Sequence, residues 1–300
     1  MIHVDKRLII ILAVILVASI AFVQINTVLP KAPAAPSAFD GQRALNDVSE
    51  QMSFGPRTPG SDAHAQIIQY IQSELKSAGW TTTLQETTLQ GHTVQNVIAK
   101  MNDPSEPVTV LGAHYDSRLR ADQDPDPFLA TQPVPGANDG ASGVAVLLEL
   151  ARVLPQENAT NVWLVFFDAE DQGNLPGWNW ILGSTAFVES LTHPVKQAVI
   201  VDMIGDKDLN LYRETSSTPK LVDAIWSTAS RLGYAQFFIN QPKYSVLDDH
   251  SPFLQAGIPA VDLIDFDYPY WHTAADLEDK VSGQSLKIVG DTLLEWLAQN

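Results

Sequence analysis

The chain has 300 residues, 45% hydrophobic and 18% charged, enough to bury a sizeable core, so one large α/β domain is the natural expectation. Its 35 acids against 18 Lys and Arg leave a net charge of −17, which argues against a nucleic-acid partner or an anionic membrane surface for the main body. There is no cysteine, which excludes disulfides, thiolate metal sites and cysteine nucleophiles.

Lys6 and Arg7 precede an uncharged stretch, 8–30, whose apolar part is about long enough to cross a bilayer once. Basic residues on its N-terminal side keep that end in the cytoplasm and export the rest. An uncleaved anchor is the expectation, with a cleaved signal peptide and a secreted product as the competing reading. Residues 1–26 are therefore read as anchor or signal, 27–38 as a stiff Pro/Ala-rich linker, and 39–300 as the folded body.

Ser61 is placed to cap a helix with Ile67, Ile68, Ile71 and Leu75 on its apolar side, ending near Gly79. Residues 81–89 and 94–101 read as paired strands, and 108–112 as a buried strand opening into His114. Residues 118–135 form a Pro- and Asp-rich loop long enough to suggest a lid or a functional excursion. The small-residue run 136–143 opens a helix with Val144, Leu147, Leu148 and Leu154 on its apolar side, and lets the helix start come close to whatever Asp139 holds. Residues 162–167 are an unbroken apolar run, suited to a strand covered on both faces, and lead into Asp168, Glu170 and Asp171. Helices at 182–191 and 220–232, strands at 198–204 and 260–264, and a closing helix at 284–298 complete the chain. Such alternation predicts a mostly parallel sheet with helices on both faces.

In open α/β sheets ligands bind at the carboxyl ends of the strands. Acids after a buried strand can simply be solvated, but Glu170 and Asp171 can also divide the labour, one binding a metal and the other moving protons. Five residues fall at or just past strand ends or helix starts: His114, Asp139, Asp171, Asp202 and His272. Singly, each reads as a hydrogen-bonded structural residue. Together they form a nitrogen and oxygen ligand set suited to catalytic zinc, with one position open to substrate. Glu170 is then left unligated beside the metal, where a general base belongs.

Four ordered motifs make a family resemblance specific: Gly-Ala-His-Tyr-Asp-Ser at 112–117, Ala-Asn-Asp-Gly-Ala-Ser-Gly at 137–143, Phe-Phe-Asp-Ala-Glu-Asp at 166–171, and Trp-His-Thr at 271–273. From about residue 53 onward the chain resembles the zinc aminopeptidase and glutaminyl cyclase superfamily. The resemblance implies a three-layer α/β/α sandwich with a mixed, mostly parallel central sheet, bound zinc, and peptide or protein N-termini as substrate. Three features are similar to the glutaminyl cyclases: the run Asp248-Asp249-His250-Ser251-Pro252-Phe253-Leu254, Trp271 directly before His272, and Trp178 and Trp180 after the acid pair. This likeness implies one zinc held by Asp139, Asp171 and His272, with Glu170 as acid/base and Asp202 and Asp248 in its hydrogen-bond network. Trp271, Tyr268 and Trp178 are the implied substrate-binding aromatics.

The implied reaction is cyclisation of N-terminal glutamine to pyroglutamate with loss of ammonia. The aminopeptidase branch of the superfamily implies instead two zincs, bridged by Asp139, with His114 and Asp202 as ligands of the second. A membrane-anchored, non-catalytic binding domain is the alternative of another class, and the intact Glu170 and full ligand set argue against it. Two departures stand out. Asp171 occupies a position where animal cyclases carry Glu, and Asp262 one where they carry His, so the chain looks closer to bacterial members.

Overall fold

The computed structural model describes residues 38–102, 104 and 106–299; the expected membrane segment, and the linker up to residue 37, lie outside them. Among the described residues no helix is long and apolar enough to cross a membrane.

Helix α1 (Gly41–Ser53) starts at Asp40, whose carboxylate accepts from the amides of Gln42 and Arg43. Helix α2 (Asp62–Ser77) starts at Ser61, whose hydroxyl accepts from the His64 amide, as the sequence leads one to expect. Both caps satisfy amides that a helix start leaves without intrahelical partners. Strands β1 (Thr81–Leu89) and β2 (His92–Lys100) pair antiparallel through the two-residue turn Gln90-Gly91. Both turn residues have positive φ, the conformation that matches the twist of a tight hairpin.

The remaining strands of the main sheet are β3 (Val108–His114), β4 (Val162–Phe167), β5 (Val195–Asp202) and β8 (Ala260–Ile264). The order is β1-β2-β4-β3-β5-β8, with β2 antiparallel to β4 and the last four strands mutually parallel. Two short strands, β6 (Leu211–Arg213) and β7 (Phe238–Pro242), pair separately. The helices between and after the strands are α3 (Ala141–Val153), α4 (Gln156–Ala159), α5 (Leu182–Glu189), α6 (Pro219–Leu232), α7 (Ser251–Gln255) and α8 (Gly283–Leu297).

Alternate residues of the parallel strands enter two cores. Leu111, Leu164, Phe166 and Val199 face the layer that contains α1, α3 and α8. Val110, Val165, Phe167 and Ile200 face Phe187 of α5 and Phe253 of α7. Every residue of β3 and β4 is buried, as expected of both, and for β4 this explains the unbroken apolar run. Each such Val, Leu or Phe contributes about 1.5–3 kcal/mol by leaving water. The result is the expected α/β sandwich around a mixed, mostly parallel sheet.

This topology gathers the chemistry at one edge. His114 is the last residue of β3 and Asp202 the last of β5, while Glu170 and Asp171 follow β4. Asp139 lies just ahead of α3, whose start is pressed against the sheet. A Cβ on Gly140 would stand 2.5 Å from His114, and one on Gly143 2.5 Å from the Val201 carbonyl oxygen.

Candidate active site

Three of the site positions are held by unusual backbone. Ala169 (φ 52°), Met203 (φ 49°) and His272 (φ 54°) are non-glycine residues in the left-handed region. Each is a candidate ligand or directly adjoins Glu170 or Asp202. Strain of this kind persists only where the surroundings fix it, and it collects at functional sites.

Asp116 supplies part of that fixing. Its carboxylate accepts from the amides of Glu170 and Asp171 at 3.1 and 3.3 Å and from the Gln172 side chain at 2.9 Å. The acid turn after β4 is thereby tied to the end of β3. Asp276 does the same for the other side, accepting from the amides of Asn138 at 2.9 Å and Asp139 at 3.2 Å.

Two clusters of buried ligand-type groups result, Asp139–Asp171–His272 and His114–Asp139–Asp202, with Asp139 common to both. Nε2 of His114 lies 3.1 Å from Oδ1 of Asp139 and 3.1 Å from Oδ1 of Asp202. Nε2 of His272 lies 2.8 Å from Oδ1 of Asp171 and 3.9 Å from Oδ2 of Asp139. Yet His272 Nε2, Asp139 Oδ2 and Asp171 Oδ2 are buried and have no hydrogen-bond partner. Buried polar atoms left in this way are costly unless something else meets them. Converging carboxylate and imidazole lone pairs are the donor set that a zinc ion accepts.

Electrostatics agree with that fit. Burial pushes Asp171 up to about 6, with neighbouring Asp139 adding to the effect. Burial likewise raises Asp202 to about 7, against the opposing pull of His114. Burial disfavours the His272 imidazolium, but the carboxylates of Asp171 and Asp122 outweigh it and lift the group to about 9. Acids held up and an imidazole held protonated are what a crowd of carboxylates produces without a cation; a bound cation reverses both. Glu170 is pushed well above the ordinary carboxyl range, by burial first, with Asp248 and Asp171 adding and His114 opposing.

The clusters open into a cavity of about 250 Å³ whose wall includes Glu170, Asp171, Asp202, Asp248 and His272. Its lining also includes the aromatic and apolar residues Trp180, Phe266, Trp271, Ile264 and Val246. Trp271 stacks on His272 at 3.8 Å between ring centroids, and Phe266 packs against Trp271 at 5.1 Å.

Two expected wall residues lie elsewhere. Trp178 stacks on His92 at 3.5 Å, beside the β1–β2 hairpin, and Trp180 takes the cavity position instead. Tyr268 is buried behind the site and donates a 2.6 Å hydrogen bond to Asp276. The strand alternation of β8 carries Ile264 and then Phe266 to the cavity, and the turn in which the Tyr268 amide bonds the Asp265 carbonyl ends it. Following that period of two one step past the strand would have found Phe266. Asp116 stands inside the 112–117 motif with no role assigned to it there, and Asp276 carries no local signal; the partners of both are distant in sequence.

Buried carboxylates and imidazoles, converging at one strand edge and opening on a cavity, are a donor set that could hold a metal ion of the catalytic kind. Over residues 96–297 the sequence matches peptidase family M28, and the chain belongs to that family. It is similar to a Zn-dependent exopeptidase from Parabacteroides distasonis, at 32% identity and TM-score 0.82 over 89% of this chain and 100% of that one. It is equally close in fold to Tannerella forsythia glutaminyl cyclase, at 31% identity and TM-score 0.82 over 87% of this chain and 99% of that one. A bovine glutaminyl-peptide cyclotransferase-like protein is 28% identical over 81% of this chain and 72% of its own length.

Proposed function

We infer that this chain is a zinc-dependent glutaminyl-peptide cyclotransferase, converting the N-terminal glutamine of peptides or proteins to pyroglutamate and releasing ammonia. The observation that carries this conclusion is a buried Glu170 beside the Asp139–Asp171–His272 cluster, in one cavity that is also lined by Trp180, Phe266 and Trp271. Likeness to bacterial and animal cyclases supports it.

Asp139, Asp171 and His272 would hold one zinc, which when bound polarises the glutamine side-chain carbonyl as a Lewis acid. Glu170, with its raised pKa, suits a group that accepts a proton and gives it back. As the α-amino nitrogen bonds to the side-chain carbonyl carbon, Glu170 takes a proton from that nitrogen. It then delivers a proton to the amide nitrogen, whose bond to carbon breaks as ammonia departs. The nucleophile belongs to the substrate, so the protein has mainly to hold the glutamine side chain curled back. Trp180, Phe266 and Trp271 present rigid walls for this, and such walls have little rotamer freedom of their own to lose. Asp202 and Asp248 border the same cavity, and we assign them to the proton-handling network around Glu170.

One observation favours a second reading. The His114–Asp139–Asp202 cluster shares Asp139 with the first and could complete a two-metal aminopeptidase site, in which Glu170 would take a proton from water. Metal analysis after dialysis separates the two: about one tightly held zinc per chain for the cyclase, against two at the usual 3.5–4 Å spacing for the aminopeptidase. For either chemistry, Glu170→Gln should keep its zinc and lose turnover on the order of 10²–10⁴-fold. Near-normal turnover would remove Glu170 from the mechanism.

The uncharged stretch after Lys6 and Arg7 supports a membrane-anchored protein with its catalytic body outside the cytoplasm, or a secreted one after cleavage. Protease added to right-side-out membrane vesicles should digest the body of an anchored chain. Full protection until lysis would overturn that placement.

A further inference from the structure

Arg118 is 1% exposed and lies at the start of the Pro- and Asp-rich loop. Its Nε and Nη2 donate to the two carboxylate oxygens of Asp122 at 2.8 and 2.7 Å. Nη1 donates to the main-chain carbonyl of Asp171 at 2.9 Å, and Nη2 also to that of Gly173 at 3.0 Å. The guanidinium carbon sits 5.0 Å from the ring centroid of Trp180. Trp180 lies flat against Gly173, where a Cβ would stand 2.0 Å from its ring, and is stacked on His272 at 5.9 Å with 17° between planes. Asp122 in turn places Oδ1 3.5 Å from Nδ1 of His272, and the next amide, that of Gln123, donates to the His272 carbonyl at 3.1 Å.

One side chain therefore reaches the backbone of Asp171, the carboxylate behind His272, and the aromatic wall. A planar guanidinium with five donors can hold such a set in one geometry, and a lysine cannot. A carboxylate behind a ligating imidazole keeps the proton on the far nitrogen and fixes the ring, leaving Nε2 free for the metal.

We propose that Arg118 and Asp122 are positioning residues for the metal site, with Arg118 holding Asp171 and Trp180 directly and reaching His272 through Asp122. The proposal rests on the reading of Asp171 and His272 as metal ligands. It also gives the start of the long loop a role, in which residues 118–123 brace the ligands rather than cover the cavity. A purely structural ion pair would lower the stability of the metal-free fold and leave metal affinity alone.

The test is a chelator-competition titration of the metal-stripped full chain with Zn(II), alongside thermal melting of the metal-free protein. Asp122 has a third of its side chain exposed, so water can reach the Arg118 donors that its removal frees, and the fold should be weakened rather than lost. Asp122→Ala should weaken zinc on the order of 10–100-fold, the usual cost of losing such a partner, with the metal-free melt lowered because Arg118 loses its counter-charge but still cooperative. Arg118→Lys, which keeps the charge and loses the fork, should weaken zinc in the same direction. His272→Ala is the reference and should lose zinc altogether. If Asp122→Ala binds zinc as tightly as the wild type while His272→Ala does not, the positioning role is overturned and the ligand reading stands. If His272→Ala keeps its zinc, the ligand reading falls and this inference falls with it.

Discussion

The Tyr268 hydroxyl donates a 2.6 Å hydrogen bond to Oδ1 of Asp276, a fully buried carboxylate that also accepts from the amides of Asn138 and Asp139. Burial, and Asp139 nearby, push Asp276 up to about 7 despite these donors. Tyr268 thus acts on Asp139 from behind. Tyr268→Phe removes one bond to a carboxylate and should cost about 1.5–3 kcal/mol of stability, read as a lowered melting temperature. KM for Gln-initiated peptides should stay close to normal. A large rise in KM with an unchanged melt would return Tyr268 to the substrate wall.

Trp180 and Trp178 make a paired test of the cavity. Trp180 lines it, while Trp178 stacks on His92 away from it. Trp180→Ala should raise KM about tenfold for each 1.4 kcal/mol of lost contact. Trp178→Ala should leave KM near the wild-type value. Steady-state kinetics on one Gln-initiated peptide decides the matter, and equal effects from the two changes would contradict the wall assigned here.

Glu214 links acid stability to the cavity. Its carboxylate accepts from the amides of Ser216, Ser217 and Val246, and Val246 lies on the cavity wall. Burial raises this group, but the His250 contact and the serine donors outweigh it and bring it from 4.5 down to about 2. A folded-state pKa below the unfolded one means more protons bound in the unfolded chain as pH falls. The stabilisation from Glu214 is therefore complete above about pH 4.5 and is lost on acidification towards about pH 2. Glu214→Gln should be less stable than wild type at neutral pH, and the gap should close across that window. Melting both proteins from pH 7 downward shows it; a constant gap would refute the assignment.

Much of this was legible in the sequence, because chemistry here follows directly on strong local patterns. The run Val162–Phe167 is buried on both faces and so reads as unbroken apolar, and Glu170 and Asp171 come immediately after it. His114 and Asp202 close neighbouring parallel strands whose final residues are buried. Helix α1 is absent from the expected elements although Ala44, Leu45, Val48 and Met52 recur at helical spacing and Asp40 caps it; its polar composition, with Asp47 and Gln51 also buried, masks that period. The supporting residues were missed for a different reason. Asp276 meets Asn138 across the fold, and Asp122 meets His272. Trp178 and Trp180 sit two apart in an irregular loop, where no period says which ring turns inward.

The central claim is that the cavity curls an N-terminal glutamine so that its own α-amine attacks the side-chain amide. Mass spectrometry of peptides beginning with Gln, Leu and Ala, incubated with the zinc-loaded protein, tests it most directly. Gln-initiated peptides should lose the mass of one ammonia with every peptide bond intact, while the Leu and Ala peptides remain unchanged. Release of free Leu or Ala, with the Gln peptide untouched, would contradict the cyclase account and identify a zinc aminopeptidase.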